Sequence, residues 1–175
     1  YFGSVSGLSS TSNQVLDGTQ AGEGFGVSVA TAGDVNHDGY SDVIIGARAA
    51  NPSFNEFGAG ISYVVFGTRD PITVDVDLAG FAAGSTQGFR ILGAISSSGS
   101  GTSVSSAGDV NGDGFDDLLI GANLADPNGT YSGESYVVFG KTTYTALNLS
   151  AVAAGSGGFV INGQCIADAS GYSVS

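Results

Sequence analysis

Asp34, Asn36, Asp38 and Asp42 stand at positions 1, 3, 5 and 9 of one short stretch, and Asp109, Asn111, Asp113 and Asp117 stand at the same positions of a second. Alternate residues of a tightly curled loop can aim oxygen atoms at one centre, and the residue at position 7 can add its backbone carbonyl. Tyr40 and Phe115 hold that place. Hard oxygen donors in this number suit a divalent cation, calcium taking six to eight of them at about 2.3–2.6 Å. Position 6 is Gly39 in one copy and Gly114 in the other, where a sharp turn calls for positive φ. Three carboxylates so close would repel unless a cation neutralised them. Both stretches are therefore read as calcium loops, two Ca²⁺ sites in all, with the metal serving the fold.

The residues beyond the loops decide which elements must position them. An EF-hand needs a glutamate at position 12 and a flanking helix, but position 12 is Ile45 in one copy and Ile120 in the other. Val43-Ile44-Ile45-Gly46-Ala47 and Leu118-Leu119-Ile120-Gly121-Ala122 are short apolar runs ending at glycine, the pattern of buried strands. Each loop is thus expected to join two strands. Catalysis finds little to work with. His37, the single histidine, sits at loop position 4, where its counterpart is Gly112, and is read as an exposed loop residue. No nucleophile is paired with a base, so the chain is not read as an enzyme. The Tyr40 and Phe115 rings are expected to cover apolar surface, and Asp116, in the slot held by Ser41, to be a surface charge.

Self-similarity extends well beyond the loops. Gly18, Gly26, Ser28, Val29, Gly33 and Asp34 recur in the same order as Gly93, Gly101, Ser103, Val104, Gly108 and Asp109. Ser62-Tyr63-Val64-Val65-Phe66-Gly67 returns as Ser135-Tyr136-Val137-Val138-Phe139-Gly140, and the connector Asp77 to Gly84 as Asn148 to Gly155. A third copy opens at Phe159-Val160-Ile161-Asn162-Gly163 and Gly171-Tyr172-Ser173-Val174-Ser175, and Tyr1-Phe2-Gly3 resembles the tail of an earlier one. The register divides the chain into 1–15, the tail of a preceding repeat; 16–88, the first full repeat; 89–158, the second; and 159–175, the start of a third. Each unit offers four strands, around Ser28-Val29, Val43 to Ile45, Tyr63 to Phe66 and Phe89 to Leu92. The expected fold is all-β, propeller blades of four antiparallel strands. Small residues before the loop suit the innermost strand, and the apolar second and third strands would stack against neighbouring blades. With about two complete blades and partial blades at both ends, the chain is expected to belong to a larger or multi-chain propeller.

At this point the residues resemble the FG-GAP repeat of integrin α-subunit propellers and of many bacterial surface proteins. Phe25-Gly26, Ser28-Val29, the Gly33 to Asp42 loop and Gly46-Ala47 carry the likeness. The second copy has Ser100 in place of the phenylalanine, and Arg48 and Asn123 stand where the pattern has proline. The resemblance implies a calcium-braced β-propeller, seven-bladed in the integrin case.

Composition bounds the partners. The 175 residues include 30 glycines, no Trp and no Met, and carry a formal charge of −12. That acidity argues against nucleic acid or an anionic membrane, both of which demand basic surface. Apolar runs of about five residues fall far short of the ~20 that a membrane helix needs. No basic-then-apolar leader opens the chain, which is expected to start as a mature or excised segment. Cys165, the single cysteine, has no internal disulfide partner and is expected to be a small buried apolar residue. Loops without a twelfth-position glutamate fit the weak range of about 10⁻⁴–10⁻³ M typical of extracellular modules, so a secreted or cell-surface setting is expected. The function inferred is an adhesion or recognition module, with surface segments 49–58 and 125–133 presenting a binding face to an extracellular protein or glycan. The alternative is a structural subunit of an extracellular filament, sheath or surface layer, joined through incomplete blades to further copies.

Overall fold

The computed structural model describes residues 3–4, 7–8, 16–69, 78–81, 85–142 and 145–175. Strands β1 (Gly3–Ser4) and β2 (Gly7–Leu8) form a small antiparallel pair. The expectation for Tyr1-Phe2 lies outside the described residues, as do Asp77 and 82–84 of the first connector. Then come β3 (Phe25–Gly33), β4 (Asp42–Ala47), β5 (Ile61–Val65) and β6 (Gly88–Leu92), each hydrogen-bonded antiparallel to the next. The second sheet repeats the meander with β7 (Ser103–Gly108), β8 (Asp117–Ala122) and β9 (Glu134–Val138), and, after β10 (Leu147–Asn148) and the helix α1 (Leu149–Ala153), with β11 (Gly158–Asn162). Two four-stranded blades result, as the spacing predicts.

Side chains alternate across each sheet, so each apolar strand serves two faces. Ile44, Val64, Phe89 and Ile91 of the first blade pack with Leu118, Ile120, Tyr136 and Val138 of the second in one buried cluster. Their neighbours Ile45, Tyr63 and Val65 turn to the opposite face, where Leu78, Phe81 and the half-buried Leu16 and Phe25 cover them. Burying a side chain of this size stabilises by roughly 1.5–3 kcal/mol, so the cluster shared by the two blades ties them firmly together.

The innermost strands β3 and β7 lie side by side, and the small residues there have a specific cause. The Ser28 hydroxyl donates to the Gly101 carbonyl at 2.8 Å, and the Ser103 hydroxyl to the Gly171 carbonyl at 2.9 Å. A Cβ on Gly46 would collide with that same Gly101 oxygen, and one on Gly121 with the Gly171 oxygen. The Ser-Val and Gly-Ala pairs of the repeat thus form a close backbone seam from blade to blade.

Three features depart from the expectations of the sequence. The first sheet gains a fifth strand, because β10 runs parallel to β6, Leu147 opposite Ile91 and Asn148 opposite Leu92. Two residues of the following connector thereby cover an otherwise open edge. The connectors also turn helically: α1 is capped by Asn148, whose side chain accepts the Ser150 N–H, and a 3-10 turn spans Leu78–Gly80. Finally, Cys165 is exposed rather than buried. It lies in the turn beyond β11, where its N–H and that of Gln164 donate to the Asp168 carboxylate, so no sheet face covers it.

Candidate metal centres

A register shift interrupts β3 between Thr31 and Gly33 and β7 between Ser106 and Gly108. Bulges of this kind end pairing and re-aim the chain, and here each delivers the backbone into a loop ahead of β4 or β8. In the first loop the Asp34 carboxylate accepts N–H groups from Asp38 and Gly39, both at 2.9 Å, and Asn36 Oδ1 accepts the Asp38 N–H at 3.0 Å. Asp38 Oδ1 accepts the Tyr40 N–H at 2.9 Å, while the Asn36 amide donates to Asp38 Oδ2 at 2.8 Å. The second loop repeats these bonds, Asp109 accepting from Asp113 and Gly114, Asn111 from Asp113, and Asp113 from Phe115. Gly39 and Gly114 hold φ of 89° and 91°, the sharp turn that position 6 predicts.

Position 9 works differently. Asp42 is 1% exposed and Asp117 fully buried. Asp42 accepts the Val35 N–H at 3.0 Å and the Gly67 N–H at 2.8 Å. Asp117 likewise accepts Val110 at 3.0 Å and Gly140 at 2.9 Å. Each carboxylate latches the loop to the chain leaving the third strand of its blade. Burial pushes the Asp42 carboxyl up to about 6; the Gly67 and Val35 N–H groups oppose the rise, and the charges of Asp38 and Asp34 add to it. Asp117 is raised for the same reasons.

Among the described residues, no three acidic, histidine or cysteine side chains are gathered closely enough to enclose an ion as they stand. The carboxylates at positions 1 and 5 are turned instead onto the loop's own N–H groups, which curl the backbone around them. The donor set nonetheless fits a hard cation. Each loop offers three carboxylates, an amide oxygen and a position-7 carbonyl, contains no lysine or arginine, and leaves a free lone pair on each singly bonded carboxylate oxygen.

His37 is exposed, and its ring meets that of Phe115 edge-on at 5.5 Å between centroids. The two loops therefore touch. Phe115 is half-buried and Tyr40 is 39% exposed, so the aromatic at position 7 is better covered in the second loop. Asp116 is no simple surface charge: it is half-buried and accepts the Asp34 N–H at 2.7 Å. Position in the repeat could not reveal this, because the contact crosses from one blade to the next.

Strand direction puts the opposite rim to other use. The loops between second and third strands lie there, and Phe54 and Phe57 are 96% and 66% exposed. With Gln20, Asn51, Pro52 and Ser53 they line an open hollow of about 400 Å³. Gln20 and Asn51 hold its floor through paired amide and backbone bonds. In the second blade the corresponding loop exposes Tyr131.

Four-stranded antiparallel blades, stacked face to face and each entered through an oxygen-lined turn, define a repeat protein of the β-propeller class. The chain carries FG-GAP repeats, matched at residues 25–65 and 100–138. It is 36% identical over 109 residues to integrin alpha-3 of Cricetulus griseus, covering 62% of this chain and 9% of that protein. Integrin alpha-IIb of Mus musculus is 30% identical over 132 residues, 74% of this chain and 11% of the relative. The phosphatidylinositol-glycan-specific phospholipase D of Bos taurus is 35% identical over 116 residues, 63% of this chain and 13% of the enzyme. The chain spans about a tenth of the length of these curated relatives.

Proposed function

We propose that the chain is part of an extracellular or cell-surface propeller that adheres to, or recognises, a protein or glycan, and that it holds one Ca²⁺ in each loop as a structural brace. Asp34, Asn36, Asp38, Asp42 and the Tyr40 carbonyl form one ligand set. Asp109, Asn111, Asp113, Asp117 and the Phe115 carbonyl form the other. The bound cation supplies the positive charge that three neighbouring carboxylates lack, and the protein's part is to fix the turn that joins first and second strands.

The observation that carries the reading is the division of labour between the rims. One rim repeats the same hydrogen-bonded loop twice, whereas the other presents loops of dissimilar sequence with exposed Phe54, Phe57 and Tyr131. Variable loops on a constant scaffold are natural contact sites. The integrin names of two relatives agree with adhesion; the phospholipase name is that of an enzyme, but we assign no reaction to this segment. Replacing both 49–58 and 125–133 with short turns should abolish binding to an immobilised panel of matrix proteins and glycans while leaving the fold intact. Undiminished binding would remove the proposal.

A second reading concerns assembly. Phe159 and Ile161 are 43% and 51% exposed, although their counterparts Phe89 and Ile91 are buried beneath the second blade. This face is shaped for a further blade, from another repeat or another copy of the chain, and in the latter case the chain would build a filament or sheath. Sedimentation at high protein concentration separates these: concentration-dependent association supports copies, and a strict monomer excludes them.

A further inference from the structure

We infer that the two cation loops are coupled, and that Asp116 is the positioning residue through which the state of the second loop reaches the first. This rests on the reading that both loops bind a divalent cation. Asp116 belongs to the second loop, yet its Oδ2 accepts the N–H of Asp34, position 1 of the first loop, at 2.7 Å, and its own N–H donates to the Asp34 carbonyl at 3.2 Å. The reciprocal pair fixes the backbone from which the Asp34 carboxylate projects. Gly33 is part of the same fit, since a Cβ there would collide with the Asp116 side chain.

A parallel tie runs through the next residue. The Lys141 N–H donates to the Val35 carbonyl at 3.0 Å, while the adjacent Gly140 N–H donates to Asp117 Oδ1, position 9 of the second loop, at 2.9 Å. Residues 34–35 of the first loop are thus held by Asp116, which precedes Asp117 in sequence, and by Lys141, which follows the Gly140 that donates to Asp117. Ordering the second loop around a cation orders the groups that set Asp34. Linkage makes the energetic effect mutual: whatever the second ion adds to binding at the first loop, the first adds at the second.

Two amides report the loops separately. Gly39 and Gly114 each donate to the position-1 carboxylate of their own loop at 2.9 Å. In the ¹⁵N-labelled full chain, Ca²⁺ titration should move both resonances. Asp113→Ala, which cripples the second loop, should raise the Gly39 midpoint about fivefold or more, in the range usual for coupled sites. In an Asp116→Ala background the same change should shift Gly39 less than about twofold, because the connection is already cut. Asp116→Asn keeps an acceptor oxygen and should restore the coupling; if it behaves like alanine, the effect is one of charge and the positioning role is wrong. A Gly39 midpoint indifferent to Asp113→Ala also overturns the coupling. If neither glycine responds to Ca²⁺, the cation reading itself fails. Should Asp116→Ala not fold, Asp116→Ser, the residue type at position 41, shortens the acceptor and serves the same comparison.

Discussion

Asp42 makes the charge argument testable without any ligand. Its carboxyl, pushed from the ordinary 3.8 to about 6, keeps its proton in the native chain at pH values where the unfolded chain has released it. The native state then binds more protons than the unfolded state between about pH 4 and 6, so the contribution is present below 3.8 and lost as pH rises through 6. At about 1.4 kcal/mol per tenfold change in proton affinity, the gap amounts to about 3 kcal/mol for this one group. Asp117 adds in the same direction. In chelator, urea unfolding should therefore show stability falling from pH 4 to pH 7, and Asp42→Asn should lower overall stability but flatten that slope. Millimolar Ca²⁺ should restore stability at pH 7, where the carboxylates are ionised and ready to bind. Stability that rises from pH 4 to pH 6 in chelator, or an unchanged slope in Asp42→Asn, would refute the reasoning.

Other outcomes follow from the same geometry. Asp38→Ala should lower stability by about 1–2 kcal/mol when Ca²⁺ is ten times its dissociation constant, and far less in chelator, because only binding to the native state is lost; thermal melts in both buffers measure it. Gly46→Ala forces a methyl group against the Gly101 carbonyl, and overpacking of this kind should cost about 1–3 kcal/mol in urea unfolding. Phe89→Ala should cost about 3–5 kcal/mol as a buried aromatic truncation, whereas Phe159→Ala, at 43% exposure, should cost less than half as much by the same assay.

Much of this was legible in the residues. Short continuous apolar runs bounded by glycine located β4, β5, β8 and β9, since strands buried on both faces leave little else to build from. The repeat register identified the two loops, and Gly39 and Gly114 take the positive φ expected of position 6. What escaped detection depends on contacts between repeats. Asp116 looked like a spare charge because its partner, Asp34, lies in the neighbouring blade. The edge strand Leu147–Asn148 is too short to show periodicity, and Asn148 announced a helix cap only once the chain behind it was seen to turn. Cys165 was misplaced because small apolar character predicts burial only where a sheet face is present to cover it. The paired use of Asp42 and Asp117 as buried latches was hidden as well, for position 9 of the motif says that an oxygen is needed and not which backbone N–H groups it holds.

Calcium stoichiometry tests the central claim most directly. Isothermal titration of the purified chain should return two Ca²⁺ per chain, one for Asp38→Ala or Asp113→Ala at concentrations that saturate the intact loop, and none for the double variant. A chain that takes up no calcium in the millimolar range, or a double variant that still binds two ions, would contradict the account.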